Sequence, residues 1–424
     1  MIPESKRPFG IGTVLAATLV HRKSSGLRRL EEAYAQAGGC AAAVVLPSAR
    51  AGICWALRAA LDQPTVVIGP TFTCAVVHEA MVRSGSKVRL LDAGNDDFLM
   101  AAPALSASQT GPHAVVLSEV YGHAYDLAQL ARNAASPSAV RIVDMAMSVP
   151  HPVLLQRLQP HDFAVVSFGK GKSMYAGWGA MGFAGDAALA DEVRRIRDLV
   201  LAPAGPGLWL RRGAVIFLRT AAQHPALYLL AWNAWHKGLP ALARLQAAWL
   251  RSASETASTP APPGFPAAWL DERSRSPEWS LPSTHVDRAL ALWNLERAAA
   301  FYEERLALAR RYHQNLDGAK GIIRPAVSPY ALSHYTVRVH PDIRNGVKAR
   351  LLQAGIRTIS LWTFPSHLTQ ATFPNAFRRS GEVINLPLTP GMSPYQVDRL
   401  CGLLIHYVEV CAGGLSEKRA ASAG

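Results

Sequence analysis

"VVSFGKGKSMYAGWGAMG" (Val165 to Gly182) sets two lysines, Lys170 and Lys172, between an apolar run and a series of glycines. Val165-Val166 reads as the end of a buried strand, and the glycines behind it as turns where the backbone lies close to something. A lysine at a strand end near a phosphate or carbonyl site is a candidate nucleophile, since partial burial can lower a lysine's pKa. Taken alone, the commoner reading is two lysines facing water. What surrounds the stretch decides between them.

Upstream, residues 26–150 alternate between helical patterns and short apolar runs. "SARAGICWALRAAL" (Ser48 to Leu61) reads as a turn entering a helix, "TVVIGP" (Thr65 to Pro70) as a strand, and "AVVHEAMVRSG" (Ala75 to Gly85) as a helix closed by glycine. "KVRLLDA" (Lys87 to Ala93), "HAVVLSEV" (His113 to Val120) and "VRIVDMA" (Val140 to Ala146) are β-rich runs of the buried parallel type. Such alternation predicts an open α/β sheet, whose ligands bind beyond the carboxyl ends of the strands. Ser48, Asp144 and Ser167 all fall at or just after such ends.

Downstream the pattern changes. Residues 205–250 hold Trp209, Trp232, Trp235 and Trp249 and are mostly helical in character. Their longest stretch free of Lys, Arg, Asp and Glu, Thr220 to Trp235, falls short of the roughly 20 residues of a spanning helix. Packing against the protein itself or a second subunit is one reading, and an interfacial amphipathic pair at a membrane surface is another. "SASETASTPAPPG" (Ser252 to Gly264) reads as a linker or mobile loop. A long helical pattern (His285 to Leu316), a strand ("HYTVRVH", His334 to His340), a helix ("GVKARLLQAG", Gly346 to Gly355) and a last helix (Ser393 to Val410) then form an α+β unit. The expected organisation is an arm over 1–30, a large domain over 31–200, a Trp-rich insert with its loop over 201–280, a small domain over 281–412 and a disordered tail over 413–424.

The 424 residues suffice for a large core. Half are hydrophobic and 17% are charged, which excludes extended disorder as the main state. The net charge of +14 favours anionic partners, but no Lys/Arg block supports nucleic acid as one of them. Cys40, Cys54, Cys74, Cys401 and Cys411 show neither C-x-x-C nor metal spacing and suit a reducing, cytoplasmic compartment. The apolar run Phe9 to Val20 follows Lys6 and Arg7 as an export signal would. "HRKSS" then replaces a small-residue cleavage site, so export is not expected.

With these pieces in order, the chain resembles the DegT/DnrJ/EryC1/StrS family of sugar aminotransferases, except over residues 200–280. "IPESKRPFG" (from Ile2) is similar to the family's I-P-x-S-x-P-x-x-G opening, and "SARAGICWAL" to its S-G-T-A-A-L turn. "GPTFTCAVVHEAMVRSGSKVRLLDA" matches P-S-F-T-F…G-A-x-P-x-F-V-D, and "EVYGHAYDL" matches H-L-Y-G-x-x-x-D-M. "IVDMAMS" matches I-E-D-A-A-Q-A, and "SFGKGKSMYAGWGAMG" matches S-F-x-x-x-K-x-L-x-x-G-E-G-G. Any one match is weak; the shared order and the spacing from Asp144 to Ser167 to Lys172 carry the resemblance.

The resemblance implies a fold type I enzyme that uses pyridoxal 5′-phosphate. It has a mixed, mostly parallel seven-stranded sheet flanked by helices and a smaller C-terminal α+β domain. Lys172, five residues after the serine of S-F, would link to the cofactor and shuttle the proton, with Lys170 as the alternative. Asp144 would pair with the pyridinium nitrogen; otherwise it is a strand-end aspartate capping a helix. Ser167 and the turn of Ser48, Ala49, Arg50 and Ala51 would hold the phosphate, since a helix N-terminus suits a dianion. Arg50 stands where the family commonly has threonine and could add a charge-assisted contact.

Other departures touch the substrate side. Met147 replaces the glutamine that contacts the cofactor's phenolic oxygen, and Cys74 the aromatic residue that stacks on its ring. Phe72 could reach the same face if that segment is extended. Trp178 replaces the acid of G-E-G-G.

The resemblance implies amino transfer, from glutamate, to an anionic keto-sugar nucleotide, in a homodimer whose sites are shared between chains. One alternative keeps the cofactor but takes a lipid-linked or other substrate at a membrane surface through 205–250. The other is a non-catalytic regulator or scaffold. The family's dehydratase branch carries histidine in place of the lysine, which Lys172 argues against.

Overall fold

The structure, a computed structural model, describes residues 8–19, 26–61, 66–95, 98–100, 113–132, 140–202, 205, 207–222, 277–362, 364–365 and 368–423. The loop expected at Ser252 to Gly264, and the insert beyond residue 222, lie outside them.

Seven strands form one sheet: β1 (Ala42–Leu46), β2 (Val66–Pro70), β3 (Lys87–Leu91), β4 (His113–Ser118), β5 (Val140–Asp144), β6 (Asp162–Ser167) and β7 (Ala180–Ala184). Their spatial order is β1-β7-β6-β5-β4-β2-β3, and β7 alone runs antiparallel to its neighbours. The mixed, mostly parallel seven-stranded α/β sheet is therefore present. Its strands alternate between two buried faces: Ala43, Val45, Ala164 and Val166 enter one core, and Val44, Leu46, Phe163 and Val165 the other. Burial on both sides is why these strands read as continuous apolar runs.

The longer helices are α1 (Ile11–Leu19), α2 (Leu27–Gly38), α3 (Ala49–Ala60), α4 (Ala75–Arg83), α5 (Ala187–Val200), α6 (Leu208–Ala221), α7 (His285–Leu295), α8 (Ala298–Asn315), α9 (Pro341–Gln353), α10 (Pro374–Glu382) and α11 (Pro394–Ala423). The export-signal-like run is α1, which packs on α6 and α7 and buries Val14 and Ala17. A capping box starts α7: the Thr284 hydroxyl accepts from the Asp287 amide, and the Asp287 carboxylate accepts from the Thr284 amide. Strands β8 (Tyr335–Arg338) and β9 (Val383–Leu386) pair antiparallel and share a separate core with α9 and α11.

Two expectations change. The tail read as disordered continues α11 as helix to Ala423. Leu, Glu, Lys, Arg and Ala favour helix strongly enough to carry it past Gly413-Gly414, each of which costs about 1 kcal/mol relative to alanine. Phe72 does not face the ligand cavity described below; it is buried against Phe98, Tyr121 and Trp362.

Candidate active site

The carboxyl ends of β1, β4, β5 and β6 open on one side of the sheet, onto a cavity of about 490 Å³. Ser48, Ala49, Arg50, Cys74, Asp144, Met147, Ser167, Lys170 and Lys172 all line it. Ala51 is buried behind them.

Asp144 ends β5 beside Val165 of β6, so the sheet register sets the carboxylate next to the segment that carries the lysine. Its Oδ1 accepts from the Ala146 amide at 3.0 Å, and its Oδ2 from the Ser118 hydroxyl at 3.3 Å. The Thr73 hydroxyl donates in turn to Ser118 Oγ at 2.8 Å. Burial pushes the Asp144 carboxyl above its ordinary value; the Lys172 ammonium, the Ala146 amide and Ser118 oppose that shift. A second cation at the carboxylate would tilt the balance further toward the ionised form. A protonated ring nitrogen is such a cation.

Lys172 is half-buried in the turn after β6, and its Nζ lies 3.2 Å from Met147 Sδ. The thioether is a weak acceptor that leaves the amine's donors largely unspent. The Ser173 hydroxyl donates to the Met147 carbonyl at 2.6 Å and fixes the two segments against each other. Lys170 lies on the exposed side of the same turn.

On the opposite wall Ser48 caps α3, its Oγ accepting from the Ala51 amide at 3.2 Å. Ser48, Ala49 and Arg50, which open α3, line the cavity, so a helix N-terminus borders it, a setting for a dianion. Ser167 Oγ, which accepts from the Gly169 amide at 3.2 Å, lines the same end. Arg50 reaches the cavity, but its guanidinium pairs with Glu79 at 3.3 Å. Cys74, at the N-cap of α4, makes no capping bond with its thiol.

The mouth is built from distant parts of the chain. Gly177 and Gly179, both at positive φ (108° and 105°), turn the backbone so that Trp178 faces the cavity between them. A Cβ on Gly177 would lie 2.7 Å from Asp287 Oδ1, which accepts from the Trp178 amide. Asp287 Oδ2 pairs with Arg212 at 2.7 Å, both side chains being fully buried. The guanidinium carbons of Arg212 and Arg219 lie 5.2 and 5.7 Å from the Trp178 ring centroid. Across from them Trp362 stacks on Tyr121, with ring centroids 4.7 Å apart. Both residues adopt positive φ, a cost of order 1–3 kcal/mol each that the surrounding packing must hold.

Thr73, Ser118, Trp362 and Arg219 are cavity residues to which the sequence reading gave no role, although Thr73 lies inside the stretch matched to P-S-F-T-F. Ser118 and Thr73 had a usable signal, since both follow strand runs on the ligand side. Arg219 and Trp362 had none, being separated by long stretches of chain from Lys172.

A strand-end aspartate, a half-buried lysine and a helix N-terminus around one cavity in a mixed α/β sheet define a site that fits pyridoxal 5′-phosphate. The donor set provides for each end of the molecule: a carboxylate for the ring nitrogen, an amine for the aldehyde, and backbone N–H groups with serine hydroxyls for the phosphate.

Comparison with known proteins agrees with that class. The chain belongs to the DegT/DnrJ/EryC1/StrS aminotransferase family, whose model matches residues 13–206 and 284–404. It is similar to the erythromycin biosynthesis sensory transduction protein EryC1 of Saccharopolyspora erythraea, 30% identical over 127 residues; the match spans 28% of this chain and 32% of that relative. Among solved structures, the PLP form of the putative sugar aminotransferase Spr1654 from Streptococcus pneumoniae superposes with a TM-score of 0.70 at 16% identity, covering 97% of this chain and 99% of that one. DesV of S. venezuelae, in complex with a ketimine intermediate, gives 0.67 at 18% identity, covering 96% and 98%. The fold is that of fold type I aminotransferases.

Proposed function

We propose that this chain is a pyridoxal-phosphate-dependent aminotransferase that moves an amino group from glutamate to a keto-sugar nucleotide. The observation that carries the proposal is the pairing of Lys172 with Asp144 in one cavity, close enough that the ammonium opposes the upward shift of the carboxyl. Bound pyridoxal phosphate supplies the electron sink for a substrate carbanion. Asp144, oriented by Ser118 and Ala146, holds the proton on the ring nitrogen. Lys172 would anchor the cofactor through its amine, and the same amine would hold and move a proton at the reacting carbon. Ser48, Ser167 and the first turn of α3 bind the phosphate; Arg50 remains with Glu79 and acts there as a charge set back from it.

Residues 31–200 are taken as the cofactor domain, 281–412 as the small domain, and the working unit as a cytoplasmic homodimer. Family membership, the net charge and the relatives' titles as sugar aminotransferases support the substrate class. The test is the absorption spectrum of protein loaded with pyridoxal phosphate. A band near about 410–430 nm, discharged by glutamate and missing in Lys172→Ala, is the expected result. No band in the wild type would leave the regulatory or scaffold reading, the one that EryC1's title describes for that relative.

One observation favours a membrane-surface acceptor. Leu15 and Leu19 on α1 and Leu210 and Leu218 on α6 are exposed on two helices that pack together. Among the described residues, no helix is long and apolar enough to cross a membrane. Vesicle sedimentation of the intact chain against a 205–250 deletion tests that reading.

A further inference from the structure

Resting on the aminotransferase reading, we infer that Arg219, set on the Trp178 ring, is the specificity residue that captures an anionic group of the substrate at the cavity mouth. Three observations carry the inference. Arg219 lines the same cavity as Lys172 and Asp144 although it comes from α6, outside both stretches that match the family. Among the described residues no carboxylate forms an ion pair with it. The neighbouring cation on the same ring, Arg212, is by contrast neutralised by Asp287 and also donates to the Pro282 carbonyl at 2.8 Å.

The identity of residue 178 explains why Arg219 keeps its charge available. In the G-E-G-G motif an acid would occupy this position, beside two guanidinium groups, and would pair with them. Trp178 instead offers a ring face, which holds a guanidinium by a cation–π contact without cancelling its charge. The Trp178 amide is itself bonded to Asp287, and the flanking glycines fix the turn, so the ring is a rigid platform. A half-buried guanidinium in such a place binds a carboxylate or phosphate through two parallel N–H···O bonds. Two groups of the proposed reaction carry that chemistry: the distal carboxylate of the amino donor and the diphosphate of a nucleotide-sugar.

The test is calorimetric titration of cofactor-loaded protein with two probes, glutarate and uridine diphosphate. The variants are Arg219→Met, Arg219→Lys, Trp178→Glu and, as a control for net charge, Arg195→Met on the exposed face of α5. Arg219→Met is expected to weaken one probe by about ten- to a hundredfold, with Arg219→Lys intermediate. Trp178→Glu is expected to match Arg219→Met, because the new carboxylate pairs with Arg219. Arg195→Met leaves both affinities in place. Loss confined to glutarate assigns the donor carboxylate, and loss confined to uridine diphosphate assigns the acceptor phosphate. Affinities for both probes unchanged in Arg219→Met, or no measurable binding of either probe to the wild type, overturns the inference. The visible absorption of the same samples separates the two levels: a wild type without the cofactor band undermines the aminotransferase reading whatever the probes do.

Discussion

The floor of the cavity and its mouth are built in opposite ways. On the floor, three groups at a strand end or a helix start are each held by a neighbour in sequence: Ser48 by Ala51, Asp144 by Ala146 and Ser167 by Gly169. Further bonds there join adjacent strand ends, Ser118 to Asp144 and Thr73 to Ser118. At the mouth, every group is held by a partner far along the chain: Trp178 by Asp287, Asp287 by Arg212, Tyr121 by the Leu361 carbonyl. The floor follows from the sheet, because in a parallel sheet all carboxyl ends come to one edge whatever the loops do. The mouth depends on where α6 and the 361–362 segment dock, and can vary without disturbing the floor.

Floor and mouth should therefore fail separately. Lys172→Ala should cost about 10⁴-fold in turnover and remove the visible band, with the thermal transition little changed, since the side chain is half-buried and makes one weak contact. Arg212→Met should do the reverse, lowering stability by about 3–5 kcal/mol by leaving Asp287 buried without its partner. Chemical denaturation of the two variants compares them directly; an Arg212→Met protein of full stability would break the distinction.

Asp144→Asn should cost about 10²-fold in turnover yet stabilise the cofactor-free protein. Burial raises the Asp144 carboxyl above 3.8, so its ionised form opposes folding at neutral pH, and that cost fades as pH falls toward 3.8. The stabilisation should be largest at pH 7–8 and shrink in the same direction. Melting curves at pH 4 and pH 8 check the sign.

His334 gives a counterpart. Burial, then Arg305 and Lys172, lower its pKa to about 3, so the folded protein holds it neutral. The unfolded chain takes up the proton first, and stability falls as pH drops below about 6.5, by about 3 kcal/mol by pH 4. His334→Gln should remove that part of the slope; an unchanged slope would mean that His123, lowered to about 4, carries it. The smallest effect is expected of Met147→Gln. It gives the lysine a stronger acceptor and should move the pH dependence of the cofactor's absorption by less than about one unit, without loss of cofactor.

Much of the sheet was legible in the sequence because its central strands, such as Val140–Asp144 and Asp162–Ser167, are buried on both faces and read as apolar runs. By contrast, β1 and β7 were expected only through the seven-stranded sheet that the resemblance implies. From the strand ends came the positions of Ser48, Asp144 and Ser167, and the family's spacing selected Lys172 over Lys170. Two readings failed where local preference met packing. Phe72, offered as a substitute for the stacking aromatic only if its segment were extended, is taken into the aromatic cluster of Phe98, Tyr121 and Trp362 instead. The 413–424 tail was read as disordered because it is a terminus, but its helix-favouring residues carry α11 on to Ala423.

By itself, then, the sequence determined the α/β alternation and its ligand edge, because strand periodicity and helix capping act over a few residues, while the roles expected of Lys172 and Asp144 came from the family resemblance. Tertiary structure alone decided that Arg50 turns to Glu79, that Arg212 is spent on Asp287, and that Arg219 arrives at the ring of Trp178. Charge pairing depends on which carboxylates lie within about 4 Å, and no local pattern encodes that distance.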